Sequence, residues 1–226
     1  MLILNPNQSV ELFDSMYPCE VKHIITTDNT RQLTVPDYVT CYGYVISGAI
    51  SVSANNSNDR DISHGQYFCL TGKQLTINSA PHTSVAVFIR YGFKGQNVVG
   101  GPIEESGRLM YIDGCSDSLL VYPPRLGDPS LNHLHFPGGI DQSFHIHPSI
   151  RLGVVVKGQG VSDVRNQNNT ESIPLEQGNV FVLLEREEHR FRTLDSEMDV
   201  IAFHPDGDWG PTDHNHTMLN RTYLTK

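Results

Sequence analysis

His145 and His147 stand one residue apart in the stretch "GGIDQSFHIHPSIRLGVVVKG" (138–158), and Arg151 follows four positions after the second. Residues two apart on a strand point to the same side, so the two imidazoles project together, and Arg151 shares their face if the strand continues through Pro148. A same-face pair of neutral imidazoles is the start of a site for zinc, copper, iron or nickel. Two ligands hold a metal weakly, so a third donor has to come from elsewhere. The best candidate is His189 in "GNVFVLLEREEHRFRT" (178–193), just after an apolar strand and a charged turn. Arg151 is no donor, because a guanidinium stays protonated. Turned inward beside a metal, it is costly unless an anion compensates it. That anion is either an internal carboxylate, such as Glu176, or an acidic ligand gripped bidentately.

A second same-face pair, His133 and His135, lies in "LNHLHF" (131–136). If that face points inward, the two rings are acid–base or supporting groups of the pocket. A solvent or subunit-interface face is the alternative, since Leu134 and Phe136 also need burial. The C-terminal "HPDGDWGPTDHNHTMLNRTYL" (204–224) mixes His204, His214 and His216 with Asp206, Asp208 and Asp213. It reads as an ordered tail packed by Trp209 and Leu219, with a lid or a second cation site as the sharper alternative.

The elements that must carry these side chains are short, alternate with period two, and are bounded by Gly, Asn, Asp or Pro, which is the pattern of antiparallel strands. Such segments occupy 41–54, 83–93, 131–136, 150–164, 179–184 and 199–204. One short helix is expected over 8–17 with Ser9 near its cap. The run strand, Gly, strand, polar tip, Gly, strand occurs twice, in "YGYVISGAISVSANNSNDRDISHGQYFCLTG" and in "RLGVVVKGQGVSDVRNQNNTESIPLEQGNVFVLLER". The repetition predicts two copies of a small β-barrel joined through 100–118, with the boundary near residue 115. The Asn-rich stretches at 55–57 and 168–170 read as hairpin tips.

Composition bounds the function. A formal charge of −9 without clustered Lys and Arg argues against nucleic acid as a partner. The N-terminus lacks the pattern of a signal peptide and no long apolar run is present, so no membrane partner is expected. Cys19, Cys41, Cys69 and Cys115 are widely spaced without a CxxC, which predicts reduced thiols and a cytoplasmic setting.

The spacing of Gly139, His145, His147 and Gly158 resembles the first motif of the cupin superfamily, and that of Gly178 and His189 resembles the second. The resemblance covers residues 118–204, and by the repeat it extends to 35–95 as a degenerate copy without the histidines. It implies an all-β chain of two cupin-type (jelly-roll) barrels in tandem: residues 1–115 without metal, and residues 116–226 with one divalent metal on His145, His147 and His189. Departures are equally clear. Arg151 stands where the family has a glutamate ligand, Leu184 and Arg186 replace the proline and glycine of the second motif, and Thr193 replaces its asparagine. Three-histidine cupins include ferrous dioxygenases, so the resemblance implies Fe(II), with Zn, Mn or Ni as alternatives. The inward arginine adds a small acidic substrate, with Arg151, His133 and His135 as catalytic candidates, and the resemblance suggests, by analogy, a homodimer. Redox-neutral isomerase, lyase or hydrolase chemistry and a non-catalytic metabolite or metal sensor are the competing expectations.

Overall fold

The computed structural model describes residues 1–53, 60–72, 75–167, 169–207 and 209–225. The chain is all-β: among the described residues the helical content is one 3-10 turn, Ile112–Gly114. No helix there is long and apolar enough to cross a membrane. The helix expected over 8–17 is instead a strand, Ser9–Leu12, paired antiparallel with Cys19–Ile25. Val10 and Leu12 alternate with Ser9 and Glu11 and pack against the core, so burial of a period-two face outweighs a weak helical tendency. The Asn-rich tip at 55–57 lies outside the described residues, as does Asn168 of the other; Asn169 opens the strand Asn169–Glu176.

Strand order shows the internal repetition directly. In the first half one sheet runs Val98–Gly100, Tyr67–Thr71, Val39–Ser47, Ser84–Tyr91, Cys19–Ile25, Ser9–Leu12. In the second half the order is Leu2–Leu4, Val180–Leu183, Arg151–Asn166, Met198–His204, Ser130–Phe136, Ser116–Val121. Register agrees with order. Gly43 sits opposite Phe68 and Gly153 opposite Phe181. Each phenylalanine ring lies over its glycine, where a Cβ would come within 2.4 Å of Phe68 or 2.2 Å of Phe181, so only glycine fits at either place. Carried across the neighbouring strands, this alignment makes Phe88 the counterpart of Phe203 and His23 that of His133.

Two features tie the halves together. Phe88 and Phe203 stack on each other at 5.8 Å, inside one apolar cluster that also holds Tyr42, Leu131, Leu152 and Ile201. In addition, the strand that leads the first half pairs with the second: Leu2–Leu4 adds to Val180–Val182, while Val98–Gly100 closes the first half's own sheet on Tyr67–Cys69. The second half's own sheet continues to Leu109–Met110 at its far edge. The four cysteines are buried free thiols.

The two interiors differ in kind. Register places Leu75 of the first half where the second half has His189, and Val35, whose N–H donates to the Leu75 carbonyl at 2.9 Å, where the second half has His145. Both belong to an all-apolar cluster with Val52, Phe68 and Val87. The histidine triad belongs to the second half.

Candidate metal centre

The three imidazoles of the second half converge. Ring centroids of His145 and His189 are 4.5 Å apart, and His147 lies 5.1 Å from each. One ligand atom from each falls within 4.8 Å of the others, and this is the group among the described residues able to hold a metal ion. Its precision comes from the backbone. His145 and His189 face each other in an isolated antiparallel bridge and exchange both hydrogen bonds: His145 N–H donates to the His189 carbonyl at 2.9 Å and His189 N–H to the His145 carbonyl at 3.0 Å. Period-two alternation then aims His147 the same way as His145, while Ile146 between them is half exposed.

Arg186 completes the clamp by donating its N–H to the His147 carbonyl at 2.9 Å. It stands at the position of the family's glycine and holds φ +57, the left-handed region where a side chain is strained. The bend that the glycine would serve is therefore kept although the residue has changed.

Tautomers are set locally. His145 Nδ1–H donates to the Ser143 carbonyl at 2.9 Å and His189 Nδ1–H to the Glu187 carbonyl at 2.8 Å, which leaves the Nε2 lone pairs for a ligand. His189 Nε2 is buried and has no hydrogen-bond partner among the described residues. A buried nitrogen lone pair without a partner is costly in a folded interior, and a metal ion on it removes that cost. Burial, with the Glu187 carbonyl acting against it, pushes the His189 imidazole down to about 4; burial and the Arg151 charge push His147 down to about 3. Both rings are neutral at neutral pH, the form that donates to a metal.

Around the triad lies a chamber of about 60 Å³ whose polar lining includes Tyr111, Asp117, Asn132, Arg151 and His204. Arg151 is buried, and its compensating carboxylate is Asp206, at 3.3 Å. Glu176 does not serve: it lies exposed in the outer strand Asn169–Glu176. Ser149 bridges the pair, accepting from Arg151 Nη1 and donating to Asp206. Burial raises the Asp117 carboxyl above the usual carboxylate range against the opposing hydrogen bonds from Asn132 Nδ2, at 3.1 and 3.0 Å.

His204 is the residue that sequence reasoning misplaced. It is the last residue of Met198–His204 and faces the chamber, where burial first, then Arg151 and His147, hold its imidazole well below the ordinary range. Its phase with Val200 and Ala202, both lining the same chamber, was the available signal.

His133 and His135 take neither of the two places weighed for them. They are buried rather than solvent-facing, and they alternate with Asn132, Leu134 and Phe136, which line the triad chamber, so their rings leave the opposite side of the sheet. There both donate to one oxygen of Asp199, at 2.9 and 2.8 Å, close to the seam between the halves. The C-terminal segment is not packed by Trp209 and Leu219, which are 60% and 62% exposed. No second cation group forms there among the described residues, because His204 points inward, Asp206 is engaged with Arg151 and Ser149, and His214 and His216 lie exposed. Asp208 lies outside the described residues.

No family model matches the chain, and no curated protein does. Solved structures do. The chain is similar to a cupin 2 conserved barrel domain protein from Leptotrichia buccalis, with 17% identity, 87% of each chain covered and a TM-score of 0.59. It is similar to protein Ylba from E. coli, with 18% identity, 90% of this chain and 84% of that one covered, and a TM-score of 0.62. It is also similar to a variant of the salicylate 1,2-dioxygenase from Pseudoaminobacter salicylatoxidans, with 12% identity, coverage of 87% and 76%, and a TM-score of 0.59. At these identities the likeness is one of fold: the chain folds as cupin-domain proteins do, and it sets three histidines inside the second half of that fold.

Proposed function

We propose that the chain is a pair of cupin units, a metal-free one within 1–115 and a metal-binding one within 116–226, the first lending its leading strand Leu2–Leu4 to the second. In this reading His145, His147 and His189 hold one divalent transition metal, Fe(II) before Zn, Mn or Ni, and the protein is a dioxygenase-type enzyme acting on an acidic organic molecule. The observation that carries the metal is the buried Nε2 of His189, unpartnered among the described residues, in a triad whose His145 and His189 have preset tautomers. A bound divalent ion supplies Lewis-acid or oxygen-activating chemistry there. The chain's residues do the rest. Arg151 and His204 flank the acid group of the substrate, Asp206 and Ser149 keep the guanidinium in place, and the apolar lining by Phe181, Phe191 and Leu183 limits water. His133 and His135 do not reach the triad chamber, since they leave the other side of the sheet. The salicylate dioxygenase among the similar folds is in keeping with oxygen chemistry.

Asp117 favours a second reading. A carboxyl raised by burial, lining the same chamber, is suited to moving a proton, which a redox-neutral isomerase, lyase or hydrolase needs. An oxalate decarboxylase from Bacillus subtilis is among the similar folds. Anaerobic reconstitution with Fe(II), followed by oxygen uptake in the presence of small carboxylic acids, separates these readings. Uptake that requires both iron and acid supports the dioxygenase. Conversion without uptake supports the redox-neutral enzyme, and an acid bound but recovered unchanged supports a sensor.

A further inference from the structure

The triad chamber is small, but it does not stand alone. A cleft of about 880 Å³ opens beside it, walled by the segment after Gly101, by the strand Ser116–Val121 and by Gly207 and Trp209. The cleft and the chamber share Asp117, Asn132 and His204 in their walls, so the two spaces are adjacent there. The volume is in the range of sites that enclose organic ligands. The chamber at about 60 Å³ has room only for a head group of a few atoms.

The wall of the cleft is chemically distinct from the chamber. Tyr67, Ile103, Leu109, Leu120, Tyr122 and Trp209 make most of it apolar, and Tyr122 and Trp209 stand 6.0 Å apart at its rim. Its exposed charges are already matched, since Arg108 is held by Glu104 through two hydrogen bonds of 2.7 and 2.6 Å. One polar atom is not matched. His133 is fully buried, lines the cleft, and donates through Nε2 to Asp199, while its Nδ1 has no hydrogen-bond partner among the described residues. A buried polar atom of this kind points to a ligand.

We propose that this cleft is the binding site for the apolar body of the substrate, so that the ligand is an amphipathic carboxylate of medium chain length and not a two- or three-carbon acid. Its head enters the chamber between Arg151 and His204; its body lies along Leu109, Leu120 and Trp209, with the cleft side of His133 beside it. The head group rests on the function proposed above. The body does not, because the cleft is built without the triad.

Trp209 is the one tryptophan of the chain and it lines the cleft, so its fluorescence reads occupancy directly. The test is a titration of the full chain, both metal-loaded and chelator-stripped, with acetate, butanoate, hexanoate and octanoate. Trp209 emission is expected to shift, and affinity to rise about fourfold per methylene buried. Octan-1-ol is expected to bind more weakly than octanoate. Leu109→Asp is expected to abolish the chain-length gain, whereas Met110→Asp, next to it but 98% exposed and outside the cleft wall, leaves it intact. Unchanged emission, or an affinity that does not depend on chain length, overturns the cleft. Equal binding of octanol and octanoate overturns the carboxylate head. A chain that binds no metal yet keeps the chain-length series contradicts the metal reading alone, which keeps the two failures apart.

Discussion

Arg151 and Asp206 form a buried ion pair at 3.3 Å, bridged by the hydroxyl of Ser149, at the edge of the chamber that holds the three histidines. The pair answers the electrostatic question raised by an inward arginine, because a carboxylate from the end of the last strand's connection supplies the counter-charge from within the protein.

Removing one member of such a pair strands the other. Asp206→Ala is expected to cost about 3–5 kcal/mol in urea unfolding, since the buried guanidinium loses this carboxylate. Replacing both, as Arg151→Met with Asp206→Leu, is expected to restore most of that stability. A double variant as unstable as Asp206→Ala would show that the site requires the charges themselves.

Asp163 organises the outer face of the same half. Its carboxylate accepts from Arg192 Nε at 2.6 Å, Arg190 Nε at 2.8 Å and Ser172 Oγ at 2.7 Å. Arg192 first, with Ser172 and Arg190, holds the carboxyl far below its ordinary range against the opposing effect of burial. A folded-state value below the unfolded value of about 3.9 means that the stabilisation is complete above pH 5 or so and is lost as pH falls through 4 and below. Unfolding measured between pH 7 and pH 3 is expected to show a steep loss of stability that flattens in Asp163→Asn. Equal slopes for the two proteins would remove Asp163 from the acid response.

His133 and His135 separate structure from chemistry. Both bind Asp199 on the side of the sheet that faces away from the triad chamber. Asp199→Asn is therefore expected to lower stability by about 1–3 kcal/mol, the cost of disturbing buried charged hydrogen bonds, with metal content unchanged. Loss of metal in that variant would return the two histidines to the site.

The leading strand makes one half depend on the other. Leu2–Leu4 pairs with Val180–Val182, and Leu4 is buried in the cluster shared by both halves. Deleting residues 1–5 is expected to loosen the second half, seen as faster amide exchange in 180–183 and a lower unfolding midpoint. Unchanged exchange there would show that the strand is not needed for the second half's stability.

The legible parts of this chain are those governed by short-range periodicity. The alternation in 150–164 and 199–204, and the pairing of His145 with His147, depend on neighbours two residues apart, so the sequence displays them, while His189 was reached through the spacing of a second motif. Asp206 as the partner of Arg151, the facing of His133 and the crossing of Leu2–Leu4 depend on contacts between residues 55 or more positions apart, which no local pattern encodes. The strand Ser9–Leu12 was obscured for a different reason: four residues are too few for propensity to outvote packing. The cleft is a property of how loops close over a sheet edge, and only coordinates reveal it.

The central claim is that three imidazoles share one metal ion, and elemental analysis of the purified chain beside His145→Ala and His189→Ala tests it most directly. About one equivalent of a divalent transition metal per chain is expected in the parent protein, falling to near zero in both variants while the β-sheet circular dichroism is retained. A parent protein without metal after reconstitution with Fe(II), Mn(II), Ni(II) or Zn(II), or variants that keep the parent's metal content, would contradict the account.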